Sequence, residues 1–236
     1  MAEQLTGLAD DRALLGRTST AERVSDILRS RIADGYFPPG TRLSEDGIGG
    51  ALGVSRNTLR EAFRLLTHER LLVHELNRGV FVRVLTVEDV EDIYRTRSLV
   101  ECAVVRGLGD PPYALDGLSA AVTEGQRAAA GDDWKAVGTA NIHFHRELVS
   151  LAGSERTDEL MRSVFAELRL AFHVVDDPHA LHEPYLSRNR ELLQALERGD
   201  SRGAERLLET YLTDSLERVV EVYRRRVGDE GPCSPP

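Results

Sequence analysis

The ten residues Gly53–Ala62, GVSRNTLREA, decide the fold of the N-terminal third of this 236-residue chain. A Gly-Val turn leads into Ser55, a residue type that favours helix N-caps, so the pattern predicts a helix that begins here. Apolar residues recur at i, i+3, i+4 and i+7 and form one face: Leu59, Ala62, Phe63 and Leu66. Basic and polar residues form the opposite face: Arg56, Asn57, Arg60 and Arg64. Such a helix can pack through one side and enter a DNA major groove with the other.

Two helices are expected before this one. Apolar periodicity predicts the first over Thr18–Gly35, with Thr20 as N-cap and a capping box left incomplete by Arg23. The second is short, covers Ser44–Leu52 and contains three glycines, which disfavour a helix. We therefore expect it to be held by its apolar residues, Ile48, Ala51 and Leu52.

Two strands are expected after it, over Leu71–Glu75 and Val80–Val84. The connecting Asn-Arg-Gly suits a hairpin with a positive φ at Gly79. Three helices followed by a hairpin predict a winged helix-turn-helix domain over residues 18–85.

The rest of the chain predicts helices alone. Their expected bounds are Val87–Gly107, Ala114–Ala130, Asp132–Leu151, Glu155–Val175, Leu186–Arg198 and Ser201–Val227. Short connections favour an antiparallel bundle of six or seven helices over residues 86–227. Residues 1–17 are expected to form a flexible leader and 228–236 a disordered tail. The predicted fold class is mostly α.

Charge is divided unevenly along the chain, whose net charge is −9. Residues 18–84 carry ten arginines and eight acids, whereas residues 85–236 carry 18 basic and 28 acidic residues. The asymmetry indicates two domains with different partners. No apolar run is long enough to cross a membrane and the N-terminus does not look like a signal peptide, so we expect a cytoplasmic protein without a membrane partner. Cys102 and Cys233 lie in contexts that disfavour a disulfide.

The exposed face of the third helix offers chemistry suited to duplex DNA. Arginine can bond guanine and asparagine can bond adenine, each through two hydrogen bonds. Hydroxyls at the helix N-terminus, from Ser55 and Thr58, can hold a phosphate, and Arg78 at the hairpin tip can reach a neighbouring groove. An arginine-rich face that is merely solvated is the alternative.

The segment Pro38–Val82 resembles the DNA-binding domain of GntR-type bacterial transcription regulators, most specifically in GVSRNTLREA and in the wing RGVFV (Arg78–Val82). The resemblance implies that five residues face DNA: Ser55, Arg56, Asn57, Thr58 and Arg60. It also implies that Gly79 lets the wing approach the duplex. The chain departs from the family at Asp46, where many members carry arginine or another polar residue.

The C-terminal part resembles the FadR-type helical domain of that family. The likeness lies in Ile93–Leu108, Asn141–Leu148 and Asn189–Leu212. Many such domains bind a divalent metal through one aspartate and three histidines. At those positions this chain has Asn141, His145, Asn189 and Tyr211, so only His145 is retained. We therefore expect no metal or other cofactor, and a degenerate metal site is the alternative.

We interpret these four residues, with Arg97, as candidates for an effector pocket. Arg97 can bind a carboxylate of a small molecule, or it can simply pair with Glu101 one helical turn away. The other histidines of this domain, His143, His173, His179 and His182, are expected to be solvated or singly hydrogen-bonded.

The leading hypothesis is a homodimeric repressor that binds operator DNA under control of a small carboxylate-bearing effector. The alternatives are an effector-free dimeric regulator, a metal-dependent sensor and an enzyme with an accessory DNA domain. No catalytic motif supports the enzyme, so none is expected.

Overall fold

The computed structural model describes the backbone of residues 19–230, and the chain divides into two compact units with the boundary between Arg83 and Val84. The fold is mostly α, with a winged helix-turn-helix followed by a helical domain, which confirms the predicted fold class. The expected leader, 1–17, lies outside the described residues.

Three helices and a small sheet build the described part of the first unit. The helices are α1 (Thr20–Ala33), α2 (Glu45–Leu52) and α3 (Arg56–His68), and the strands are β1 (Arg42–Leu43), β2 (Leu72–Glu75) and β3 (Gly79–Val82). The sheet is antiparallel in the order β1-β3-β2. Strand β1 was not predicted, because two residues are too few to show an alternating pattern.

The N-cap of α1 differs from the prediction. Ser19 caps the helix instead of Thr20, and its hydroxyl accepts a hydrogen bond from the amide of Glu22 at 3.1 Å. The Glu22 carboxylate accepts in turn from the Ser19 amide at 2.6 Å. The capping box is therefore complete, one residue earlier than expected.

Helix α2 begins after Ser44 as predicted, but its packing differs. Ala51 and Leu52 are exposed, and Gly49 is the buried residue of the helix. A Cβ on Gly49 would lie 3.5 Å from the carbonyl oxygen of Val54 and 3.8 Å from Leu59. A small residue therefore lets α2 lie close against the start of α3.

Helix α3 is seated as predicted, with Leu59, Ala62, Phe63 and Leu66 all buried. Its N-cap is Ser55, also as predicted. These side chains join Leu28 and Ile32 of α1 and the inner residues of the sheet in the core of this unit.

Six helices build the described part of the second unit. They are α4 (Val87–Arg106), α5 (Asp116–Ala130), α6 (Trp134–Ser150), α7 (Glu155–Phe172), α8 (Pro178–Glu197) and α9 (Ser201–Glu230). Helix α6 packs on α4, α5, α7 and α8, and α9 packs on α4 and α8. The buried faces of α4, α6, α8 and α9 thus surround a common core. None of the described helices is long and apolar enough to cross a membrane.

Three helix ends in this unit differ from the prediction by three residues or more. Helix α7 ends at Phe172 instead of Val175. Helix α8 begins at Pro178, eight residues before the expected start, because Asp177 caps it and proline fits the first turn. The helix also contains an internal proline, Pro184. Helix α9 continues to Glu230 and so includes the first three residues of the expected tail, whose remainder, 231–236, lies outside the described residues.

Candidate nucleic-acid interface and buried polar core

The outer face of α3 presents the side chains predicted to meet DNA. The side chains of Arg56 and Arg60 are 71% and 64% exposed, and Asn57 is also exposed. Because the opposite face of α3 is fully buried, the helix is fixed with these three residues outward. Arg56 and Arg60 stand at i and i+4 and are therefore neighbours on the helix surface, and Asn57 follows Arg56 in the same exposed stretch.

Ser55 caps the same helix end, and Thr58 lies beside it in the first turn. The Ser55 hydroxyl accepts from the Thr58 amide at 3.1 Å and lies 2.8 Å from the Thr58 hydroxyl. Ser55 is exposed, and the hydroxyl pair stands beside the first amides of α3. This is an arrangement suited to an anionic oxygen.

The wing places Arg78 and Gly79 at its tip. Gly79 has φ +110°, as predicted, and a Cβ there would lie 3.2 Å from Nε of Arg42. Arg78 pairs with Glu75 at 2.5 Å and lies 5.5 Å from the centre of the Phe81 ring. Arg42 beside the tip is a further basic side chain, and it was not among the residues predicted to face DNA.

Two acids at the start of α2 pair with the arginines of α3. Asp46 lies 3.0 Å from Nη2 of Arg56. Glu45 accepts from Nε of Arg60 through both carboxylate oxygens, at 2.9 and 3.2 Å. The sequence shows that position 46 is an aspartate, but it does not show that Asp46 pairs with Arg56.

A charged triad lies inside the helical unit. Arg97 and Glu101 on α4 and His145 on α6 are each 1% exposed or less. Nε of Arg97 donates to one oxygen of Glu101 at 2.8 Å, and Nδ1 of His145 lies 2.6 Å from the other. The pairing of Arg97 with Glu101 that the sequence left open is therefore present, with His145 as a third member.

The triad has a defined protonation state. Burial opposes the ionisation of Glu101, but the positive charge of Arg97 and the contact with His145 outweigh it and lower the pKa of the carboxyl. Burial lowers the pKa of His145, so this imidazole is neutral at pH 7. Since a carboxylate only accepts, Nδ1 carries the proton and Nε2 is an acceptor.

A second group joins the remaining candidates. Oδ1 of Asn141 (α6) accepts from Nδ2 of Asn189 (α8) at 2.8 Å and from the hydroxyl of Tyr211 (α9) at 2.7 Å. The rings of His145 and Tyr211 are 4.9 Å apart between centroids, so this group adjoins the triad. All five residues predicted for the pocket are thus buried in one polar core. Glu101, which links two of them, was considered only as a partner of Arg97.

Three buried polar atoms of this core have no hydrogen-bond partner among the described residues: Nη2 of Arg97, Nε2 of His145 and Oδ1 of Asn189. The cavity beside Asn141 and Asn189 measures about 10 Å³ and is also lined by His182. His182 is 3% exposed and packs on Phe172, so of the two expected states, solvated or singly hydrogen-bonded, the solvated one does not apply to it.

The donor set of the polar core does not suit a divalent first-row metal. Such ions prefer imidazole, thiolate or carboxylate ligands, and His145 is the one imidazole among the four residues at the metal positions. The oxygen of Asn141 already accepts two hydrogen bonds. Among the described residues no group of three or more His, Cys, Asp or Glu side chains is placed to hold a metal ion.

Two family models match the chain. The model of bacterial regulatory proteins, gntR family, matches residues 20–82, and the FCD domain model matches residues 92–214. The chain belongs to the gntR family of bacterial regulatory proteins. The FCD domain corresponds to the FadR-type C-terminal domain, so both resemblances are confirmed. Since this is a family of regulators, the prediction that the chain is not an enzyme is confirmed as well.

Known relatives agree with this assignment. A GntR protein from Rhodococcus sp. RHA1 is 51% identical and superposes with a TM-score of 0.84, over 87% of this regulator and 100% of that chain. The Nta operon transcriptional regulator of Aminobacter aminovorans is 31% identical, over 58% of this chain and 65% of its own length. The "Probable D-xylose utilization operon transcriptional repressor" of Paenarthrobacter nicotinovorans is 28% identical, over 82% and 86%.

Proposed function

We propose that this chain is a cytoplasmic transcriptional repressor that binds operator DNA as a homodimer and responds to a small carboxylate-bearing effector. The observation that carries the DNA-binding part is the face of α3, where two exposed arginines and an asparagine stand opposite a fully buried side. The operon regulator and repressor among its relatives support the same part.

The six DNA-facing side chains divide into two roles. Arg56, Asn57 and Arg60 point from the first turn of α3 and would read base edges in the major groove. Ser55, Thr58 and Arg78 would hold phosphates on either side. A two-fold dimer would place one α3 in each half-site of a palindrome.

Binding of the full chain to duplexes selected from a random pool tests this part. Arg56→Ala and Arg60→Ala should each weaken binding to the selected duplex by about 5- to 150-fold, the equivalent of roughly 1–3 kcal/mol. Arg95→Ala is the control, because Arg95 is equally exposed but lies in the helical unit. Equal losses on selected and random duplexes would contradict base reading and leave only phosphate contacts.

The effector part rests on the buried polar core. Nη2 of Arg97 is a charged donor without a partner among the described residues. Nε2 of His145 and Oδ1 of Asn189 are acceptors that also lack a partner there. A carboxylate is the natural partner of a guanidinium, and unpartnered polar atoms in a protein interior are costly. An organic acid bound here would satisfy Arg97 and shift the balance between DNA-competent and incompetent dimers.

Native mass spectrometry, with and without prior denaturation, tests the effector. We expect a dimer that releases an organic acid on unfolding. The double variant Arg97→Met, Glu101→Gln removes the guanidinium without leaving either charge unpaired and should abolish the adduct. Retention of the adduct by that variant would refute the role of Arg97, and a released metal ion would favour the metal-dependent sensor.

A second candidate is an effector-free dimeric regulator, in which the helical unit only dimerises. The observation that favours it is the cavity of about 10 Å³, which has room for about one water molecule. A dimer without any adduct, whose melting temperature no organic acid raises, would support this candidate against the first.

A further inference from the structure

A carboxylate stands directly against an arginine of the DNA-facing surface. Asp46 is the second residue of α2 and Arg56 the first residue of α3, and the tight turn between the helices brings Oδ1 of Asp46 to 3.0 Å from Nη2 of Arg56. Both side chains are more than 70% exposed. An ion pair this exposed contributes little to folding stability, so its consequences lie at the surface where it stands.

The pair opposes binding to DNA backbone of any sequence. A phosphate attracts Arg56 through its net charge, and Asp46 neutralises that charge at close range. The carboxylate would also approach the phosphates when α3 enters the groove, and like charges repel. Both effects act on every duplex, because the backbone is the same in all sequences.

The same pair suits recognition of a base edge. With Nη2 against a carboxylate, the planar guanidinium keeps its other N–H donors and loses rotational freedom. A held guanidinium loses less entropy when it bonds guanine, whose N7 and O6 accept two hydrogen bonds. Operator DNA with a guanine opposite Arg56 therefore recovers the binding affinity that the carboxylate removes, whereas DNA without that guanine does not.

We propose that Asp46 is a specificity determinant that lowers the affinity of α3 for non-operator DNA while holding Arg56 for a base contact. This inference rests on the proposed DNA-binding function. Glu45 is a weaker candidate for the same role, since its side chain is only 32% exposed and its two contacts to Nε of Arg60 also join α2 to α3.

The test compares Asp46→Asn with the wild-type full chain. Fluorescence anisotropy is measured against the duplex selected from a random pool and against a scrambled duplex of the same length, at a series of salt concentrations on either side of the physiological value. The control is Asp26→Asn, which removes the same charge from an exposed ion pair with Arg29 on α1 of the same unit. Arg29 keeps Glu69 as a second partner, so this control retains its fold.

We expect Asp46→Asn to bind the scrambled duplex about 3- to 10-fold more tightly, with a salt slope steeper by about one, as for one more phosphate contact. Binding to the selected duplex should stay the same or weaken, so the ratio of the two affinities falls by about threefold or more. Equal tightening on both duplexes, or no difference from Asp26→Asn, would overturn the inference. A wild-type protein that prefers no duplex at all would instead overturn the proposed function.

Discussion

Replacement of Glu101 by glutamine removes the anion from the buried triad while keeping its volume. Arg97 is 1% exposed and its Nε bonds Glu101, so in Glu101→Gln it remains charged and buried beside a neutral amide. Loss of one partner from a buried ion pair costs about 3–5 kcal/mol, because the remaining charge is left uncompensated. For a unit of this size, that corresponds to a fall in melting temperature of roughly 6–20 °C.

The chain offers a probe that reports on this unit alone. Trp134 is the only tryptophan in the sequence and lies on α6, so its fluorescence in urea follows the helical unit even if the two units unfold separately. Asp92→Asn is the matched control on the same helix, since it breaks an exposed pair with Arg95 and should change the free energy of unfolding by less than about 1 kcal/mol. A Glu101→Gln variant that loses no more than this control would refute the argument that Arg97 depends on Glu101.

Three further outcomes follow from other buried groups. Burial lowers the pKa of His182 to about 4, below its unfolded value of about 6.5, so the unfolded chain binds this proton more readily and the folded state loses stability as pH falls below 6.5. The variant His182→Gln should therefore remove about 2 kcal/mol of the difference in unfolding free energy between pH 7 and pH 5. Gly138→Ala should destabilise the helical unit by about 1–3 kcal/mol in urea titrations, because its Cβ would lie 2.5 Å from Nε2 of the buried His182. Gly50→Ala has open space around it and should stabilise α2 by up to about 1 kcal/mol, so equal effects of the two variants would contradict the packing. Burial also raises the pKa of Cys102 to about 11, so in a Cys233→Ser background Ellman's reagent at pH 8 should label the unfolded chain but not the native one.

The N-terminal unit was predictable because its signals are local. The apolar face of α3, its cap at Ser55 and the positive φ of Gly79 each depend on residues within one or two turns of each other. Three predictions failed in this unit, and each concerns only a few residues. The α1 cap lies one residue earlier, at Ser19, the two-residue β1 gave no pattern, and α2 packs through Gly49 instead of Ala51 and Leu52. Propensity and periodicity therefore suffice when the deciding contacts are close in sequence.

The contacts that define the polar core are distant in sequence. Glu101 and His145 are 44 residues apart, and Asn141 and Tyr211 are 70 apart. Nothing in the periodicity of a helix specifies which helices become neighbours, so resemblance to a family could suggest these pairings whereas periodicity alone could not. For the same reason the burial of His182 was missed, since it depends on α8 starting at Pro178 and packing on α6, and on the contact of His182 with Phe172.

The charges of the polar core explain why its substitutions form a consistent set. In the metal-binding pattern of the family, an aspartate offsets part of the charge of a dication. Here the positions of that aspartate and of two histidines hold Asn141, Asn189 and Tyr211, which are neutral and bond one another. With His145 uncharged, Arg97 and Glu101 already balance, and a buried dication would add charge without an anion to meet it. Only the replacement of the aspartate changes the charge, since histidine is neutral as a metal ligand. The three replacements together give residues that bond one another instead of a metal ion.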